Sequence, residues 1–265
     1  MIDNKTIKEY YDISTIKEWE RLEGFHFEFE ITKRMLDKYM KKGKILDIGG
    51  GPGRYSLYLS SLGFDVTLVD LSLGNVNFAI NKAKEEKLNL KAYEADARDL
   101  SSLPLEKYDT ILLMGPLYHL SKTEERIKCL EEAKKYLKED GVLFVSFISL
   151  PAGLLFYLDE CPYEMPNEKE QNLIDCMEKE KSWSGKAFTD ATFTEIKEIE
   201  PFFDSLGFKK ISLFAQEGIT GPRLSYLEKG DDKVKEYYLD VAYRLSEIEE
   251  YLPYSPHIIY VGKIK

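Results

Sequence analysis

Short apolar runs alternate with amphipathic stretches through most of this chain. "KILDIG", "FDVTLVD", "NLKAYEAD", "YDTILLMG" and "GVLFVSFIS" read as five strands. They are short and nearly continuously apolar, as strands covered on both faces are. The stretches between them have helical spacing. One follows Gly53 and stops near Gly63. Ser72 is placed to N-cap the next, where Val76, Ala79, Ile80 and Ala83 form a stripe. Ser121 and Glu124 fit a capping box before a third, which carries Ile127, Leu130, Ala133 and Leu137, with Gly141 just past its end. "FKKISLFAQE" and "HIIYVGKI" add two later strands. The rhythm predicts right-handed crossovers and an α/β fold: a doubly wound, mostly parallel, seven-stranded sheet.

The pattern divides the chain into residues 1–43, a helical cap; 44–149, the α/β core; 150–187, an inserted cap; and 188–265, which completes the sheet. In the first segment Phe29, Thr32, Leu36 and Tyr39 recur at helical spacing. "GFHFEFE" alternates like a strand, but is read as a helix start whose phenylalanines line a pocket mouth. The insertion holds Pro151, Pro162 and Pro166 and shows no strand. In the last segment "TFTEIKEIEPFFDSLG" reads as a helix. A second, longer helix is expected from Val234, Tyr238, Val241, Leu245, Ile248 and Leu252, a seam that packs on the body.

With 265 residues, 43% of them hydrophobic and 32% charged, the chain has the balance of a soluble globular protein. No apolar run is long enough to span a membrane, and "MIDNKTIKEYYD" lacks the apolar core of a secretion signal. Cys129, Cys161 and Cys176 are an odd, widely spaced set with no metal-binding pattern, so reduced thiols in a cytoplasmic protein and no metal are expected. The net charge of −10 argues against a nucleic-acid partner. A monomer and a homodimer are both compatible with this sequence.

The chemistry concentrates at "ILDIGGGPGRYSLYL". A dinucleotide fingerprint needs G-x-G-x-x-G; from Gly49 and Gly51 its third position is Arg54, and from Gly50 it fails at Pro52. No Gly-Lys-Ser/Thr follows, which excludes a phosphate loop. What fits is acidic-x-Gly-x-Gly-x-Gly: Asp47, Gly49, Gly51, Gly53. Asp70 and Asp96 end the second and third strands, where open α/β sheets bind ligands. The fourth strand ends in "LLMGPLYHL".

These residues resemble the motifs of class I S-adenosylmethionine-dependent methyltransferases, and "GPLYHL" looks like a bacterial small-molecule subgroup of them. The likeness covers roughly residues 44–149. It implies S-adenosylmethionine as cofactor, S-adenosylhomocysteine as product and a small-molecule methyl acceptor. By that resemblance Gly49, Gly50, Gly51 and Gly53 admit the methionyl and ribose parts and Asp47 fixes the loop and the amino group. Asp70 takes the ribose hydroxyls, Leu71 flanks the adenine, and Asp96 and Ala97 meet its edge. Met114 and Gly115 stand where cofactor and acceptor meet. His119 is the candidate base and Tyr118 a second candidate pocket residue; local packing accounts for either equally. Tyr11, with Tyr10, is a candidate for the sulfonium and Arg34 for the cofactor carboxylate. Phe156, Tyr157 and Trp183 are candidates for the acceptor pocket or for cap packing. The alternatives are an RNA or protein methyltransferase on the same core, and a non-catalytic cofactor-binding regulator.

Overall fold

A computed structural model describes residues 15–168, 170–187 and 190–265. Residues 15–24 are helical (α1), followed by α2, His26–Tyr39. The core then alternates: β1 Lys44–Ile48, α3 Arg54–Ser61, β2 Asp65–Asp70, α4 Leu73–Glu85, β3 Leu90–Glu94, β4 Tyr108–Leu113, a 3-10 turn Pro116–His119, α5 Thr123–Tyr136 and β5 Leu137–Ser149. The insertion supplies α6 Leu150–Glu160, α7 Gln171–Glu178 and β6 Trp183–Lys186. After it come β7 Asp190–Thr194, α8 Ile196–Ser205, β8 Phe208–Ala215, the single turn α9 Leu224–Leu227, α10 Asp232–Leu245 and β9 His257–Ile264.

Among the described residues nine strands form one sheet in the order β3-β2-β1-β4-β5-β7-β6, with β9 paired to β5 and β8 to β9. The parallel core matches the expected α/β fold, but the seven-strand expectation misses β6 and β7. They pair antiparallel with each other, and β7 joins β5 at Ile148 and Ser149. Ile148 already pairs with His257 of β9 on one edge, so β7 takes the edge that β4 has vacated, β4 having ended at the Leu113–Val145 pair. Two segments of the expected insertion and helix are therefore strand: the insertion is not strandless from Trp183 on, and α8 starts only at Ile196.

Alternating residues send apolar side chains to opposite faces of the sheet. Leu46, Ile111, Val145 and Ile258 join one core with α5 and α8; Ile45, Leu112, Phe144 and Ile259 join another with α2 and α10. Phe27, Ile31, Met35 and Leu36 of α2 are essentially fully buried. The second half of the first segment is thus a layer of the fold. Phe29 and Tyr39, expected on its inner face, are half-buried at its edge. The phenylalanines do not line the cavity at the glycine turn either: Phe27 is in the core and Phe29 lies against Tyr55 and Tyr58.

Three local expectations also yield to tertiary structure. Lys122, not Ser121, precedes α5, and no side chain caps it; Arg126 instead reaches back to the carbonyls of Leu120 (2.8 Å) and Ser121 (3.3 Å). Gly141 does not end α5. It lies inside β5, where the pairing shifts register between Tyr108–Leu137 and Thr110–Val142. The long seam breaks at Leu245, where the chain turns so that the Ser246 carbonyl accepts from the Ala215 amide at 2.9 Å. Leu239 and Ala242 face inward, while Val234 and Tyr238 are exposed.

Candidate active site

The carboxyl ends of β1, β2 and β4 meet at the glycine turn. The Gly49 and Gly50 amides donate to the Val69 carbonyl at 2.6 and 3.3 Å, tying the turn to β2. Gly49 has φ +70°, and a Cβ there would lie 2.3 Å from the Pro116 ring. Gly51 has φ +56°, and its missing side chain leaves open space. Only Gly51 therefore combines a left-handed backbone with room on the cavity side. Gly53 does not line the cavity; a Cβ there would crowd Ala79 and Leu68, so it lets α3 pack on α4.

The carboxylates around this turn are anchored. Asp70 accepts from the Gly51 amide (2.8 Å), the Ser72 amide (2.9 Å) and Asn75 Nδ2 (3.1 Å). That last bond fixes the amide's orientation, and Asn75 Oδ1 is left buried with no partner among the described residues. It is an acceptor facing a cavity that could supply a hydroxyl. Asp96 is gripped by Arg98, whose Nε and Nη2 donate at 3.0 and 2.6 Å while its amide donates at 2.9 Å. Arg98 also bonds Glu125 at 3.0 Å. Asp47 is almost completely buried and accepts from Ser56 Oγ at 2.7 Å. Burial pushes its pKa up to about 7, Ser56 opposes that, and the charge of Asp70 adds to it. No Lys or Arg among the described residues forms an ion pair with Asp47.

One cavity brings together Asp47, Gly49, Gly50, Gly51, Asp70, Leu71, Asp96, Ala97, Met114, Gly115, Tyr118 and His119. Arg34 is not there: it faces Asp240 at 3.9 Å and lies over the Tyr243 ring, on the side of α2 turned to α10. Tyr10 and Tyr11 lie outside the described residues. Phe156, Tyr157 and Trp183 do not reach the cavity. Phe156 is exposed, Tyr157 bonds Glu170, and Trp183 stacks on Phe193 at 5.0 Å.

His119 is buried, with Nδ1 3.3 Å from the Asp190 carbonyl at the start of β7. Burial lowers its pKa to about 4, the carbonyl resisting only in part, so the ring is neutral at pH 7. The Tyr118 hydroxyl donates to the Met114 carbonyl at 3.4 Å, and burial pushes its pKa up.

The far half of the cavity is polar and was not read from the sequence. Glu18 and Arg21 of α1, Glu28 of α2, Ser146 of β5, Gln216 after β8 and His257 of β9 line it. Gln216 is held between Thr32 Oγ1, which accepts from its Nε2 at 2.9 Å, and Ser146 Oγ, which donates to its Oε1 at 3.3 Å. Glu28 accepts from the Tyr55 hydroxyl at 3.3 Å, and burial raises its pKa against the pull of His257. Glu217 accepts at Oε2 from Ser255 Oγ (2.5 Å) and the His257 amide (3.0 Å), and its Oε1 meets His257 Nδ1 at 2.5 Å. Burial alone would lower the His257 pKa, but the charge and hydrogen bond of Glu217 lift it to about 9. Two signals were available: polar residues at strand ends, and Glu28 on an otherwise apolar helix face. His257 opens the antiparallel strand beside β5, which brings it to the carboxyl end of the parallel ones.

Residues 45–141 match a family described as a methyltransferase domain. The chain is 27% identical over 147 residues to a glycine/sarcosine N-methyltransferase of Aphanothece halophytica, covering 54% of this chain and 56% of that one. It is 34% identical over 116 residues to a ubiquinone biosynthesis O-methyltransferase of Pelagibacter ubique, covering 44% and 46%. The chain thus spans about half the length of the curated relatives it matches. Among solved structures, magnesium protoporphyrin IX methyltransferase from Synechocystis PCC 6803 with bound SAH superimposes with a TM-score of 0.59 at 15% identity, covering 99% of this chain and 100% of that one. That likeness is one of fold.

Proposed function

We propose that this chain, whose α/β core is a methyltransferase domain of the class I S-adenosylmethionine-dependent family, transfers a methyl group to a small-molecule acceptor. The observation that carries this reading is a single cavity with two chemically different halves. The glycine-turn half presents anchored carboxylates and an orphaned amide oxygen, the acceptor set that the hydroxyls and amino groups of a nucleoside with an amino-acid arm require. The far half presents hydrogen-bonding side chains held by one another.

S-adenosylmethionine supplies an electrophilic methyl group on a sulfonium and leaves as S-adenosylhomocysteine. Everything else falls to the chain. Asp70 and Asn75 Oδ1 would hold the ribose hydroxyls, Asp96, Ala97 and Leu71 the base, and Asp47 the amino group, with Gly51 leaving space beside them. Anchoring Asp70 on three donors and Asp96 on Arg98 means that neither carboxylate has to be ordered when the ligand arrives. Alignment and exclusion of water then account for most of the barrier to be removed. α1 supports the second point, because Glu18, Arg21 and Leu22 form part of the cavity wall.

A small acceptor is favoured over RNA by the net charge of −10 and by the acidic side chains Glu18 and Glu28 on the far wall. A purely regulatory role is disfavoured because the space beyond Met114 is open and lined with polar groups. Purified protein incubated with methyl-labelled cofactor and a low-molecular-weight metabolite extract is expected to label one small molecule, identifiable by mass spectrometry. Binding of S-adenosylhomocysteine without any labelled product would overturn the catalytic reading.

A further inference from the structure

We propose that His257, held by Glu217, is the proton acceptor of the far half of the cavity, so that the methyl acceptor is a hydroxyl or an amine with a proton to lose. The inference rests on the function proposed above and goes beyond it by naming the base and the acceptor chemistry.

Glu217 is fixed at every polar atom of its carboxylate. Its Oε2 takes the Ser255 hydroxyl and the His257 amide, and its own amide donates back to Ser255 Oγ at 3.0 Å. It is 2% exposed. A carboxylate so held dictates the imidazole's tautomer: Nδ1 carries the proton that points at Oε1. In the neutral ring, which forms as pH rises toward its raised pKa, Nε2 then carries the lone pair that takes a proton from whatever enters the cavity. The ring is 27% exposed and belongs to the cavity wall.

The charged and titratable groups facing His257 come from each neighbouring element: Glu217 after β8, Glu28 on α2 and Arg21 on α1. A ligand atom of Glu28, one of Glu217 and a ring nitrogen lie within 4.8 Å of one another. Within this cluster the hydrogen bonds run between Glu217 and His257, and Glu28 acts on the ring through its charge. In the step itself the acceptor's X–H bond breaks toward Nε2 as the X–CH₃ bond forms. The departing sulfur keeps the electron pair of the broken C–S bond, and the proton returns to solvent after product leaves. The His257 pKa of about 9 lies close to that of a phenol or an amine (roughly 8–10), so transfer to it is nearly thermoneutral. An unactivated aliphatic alcohol would be a poor match.

Two readouts test this, one independent of turnover. In the S-adenosylhomocysteine complex the His257 ring resonance should titrate well above the ordinary histidine range, and Glu217→Gln should bring it down by about 1–2 pH units, as loss of a buried charged partner does. In the labelled-cofactor assay with metabolite extract, His257→Asn keeps a donor for Glu217 and should lower the rate by about 100-fold or more. It should leave S-adenosylhomocysteine affinity within about two-fold and abolish the rise of rate with pH. A His257→Asn variant with wild-type rate and pH profile overturns the proposal. So does a ring that titrates in its ordinary range, unmoved by Glu217→Gln. A wild-type chain with no affinity for S-adenosylhomocysteine would instead remove the function on which it rests, and the proposal with it.

Discussion

His119 and His257 line one cavity, and their environments drive them in opposite directions. At His119 desolvation outweighs the carbonyl of Asp190 and the pKa falls to about 4. At His257 a buried carboxylate reverses the same desolvation and the pKa rises to about 9. Burial therefore says nothing about the charge of a histidine until its partner is known. The first ring is a neutral wall element near pH 7. The second has a proton to exchange.

The sharpest way to break this comparison is the pH dependence of stability, where the expected effects are largest. His257 is raised, so its stabilisation is present below about 6.5 and is lost as pH climbs through about 9. His119 is lowered, so its contribution is present above about 6.5 and is lost as pH falls toward about 4. Each window is worth up to ~3 kcal/mol at 1.36 kcal/mol per unit. Asp47 acts in the second window with the opposite sign. Its carboxyl is raised from 3.8 to about 7, so its contribution is present below 3.8 and drains away as pH rises, up to ~4 kcal/mol. In the wild-type chain the two should nearly cancel between pH 4 and 6.5. Asp47→Asn is expected to leave a melting temperature that rises with pH across that range, and His119→Gln one that falls. Parallel Tm–pH curves for the two variants would mean that the two groups do not differ as described.

A second contrast separates the halves by ligand. Asp70→Ala removes the carboxylate that anchors Gly51, Ser72 and Asn75 and should weaken S-adenosylhomocysteine binding by on the order of 1–3 kcal/mol. Gln216→Ala, in the far half, should leave that affinity within a factor of about two while impairing methyl transfer. Calorimetry settles both. Equal losses from the two variants would mean that the cavity is one undivided site.

What was legible in the sequence follows the same division. The glycine turn, Asp70 and Asp96 lie on consecutive βα units, so spacing along the chain places them together in space. The far half is assembled from α1, α2, β5, the end of β8 and the start of β9, spread over more than half the chain. No local period links Glu28 to Glu217 and His257; only the antiparallel register of β9 on β5, with Ile148 opposite His257, brings them to one wall. The β6–β7 hairpin was hidden for a related reason. Its strands pair on the overhang that β5 leaves past β4, and that overhang is a property of the sheet, not of either segment.

Arg34 offers the smallest effect and the cleanest check on that lesson. The resemblance to known methyltransferases placed it at the cofactor's carboxylate, since it lies on the helix before the first strand. Helix geometry decides otherwise. Glu28, Thr32 and Met35 are on the buried face of α2, and Arg34 is turned to α10, where Asp240 sits at 3.9 Å and the Tyr243 ring at 5.3 Å. Both partners are solvent-facing, so the pair is worth at most about 0.5–1 kcal/mol and is weakened by salt. Arg34→Ala should therefore cost a few tenths of a kcal/mol in stability and nothing in S-adenosylhomocysteine affinity. A ten-fold loss of affinity would require Arg34 to reach around α2 into the cavity, and would return the carboxylate assignment to it. Arg21 and Arg54 line the cavity itself and are cations that this geometry leaves within reach of a bound ligand.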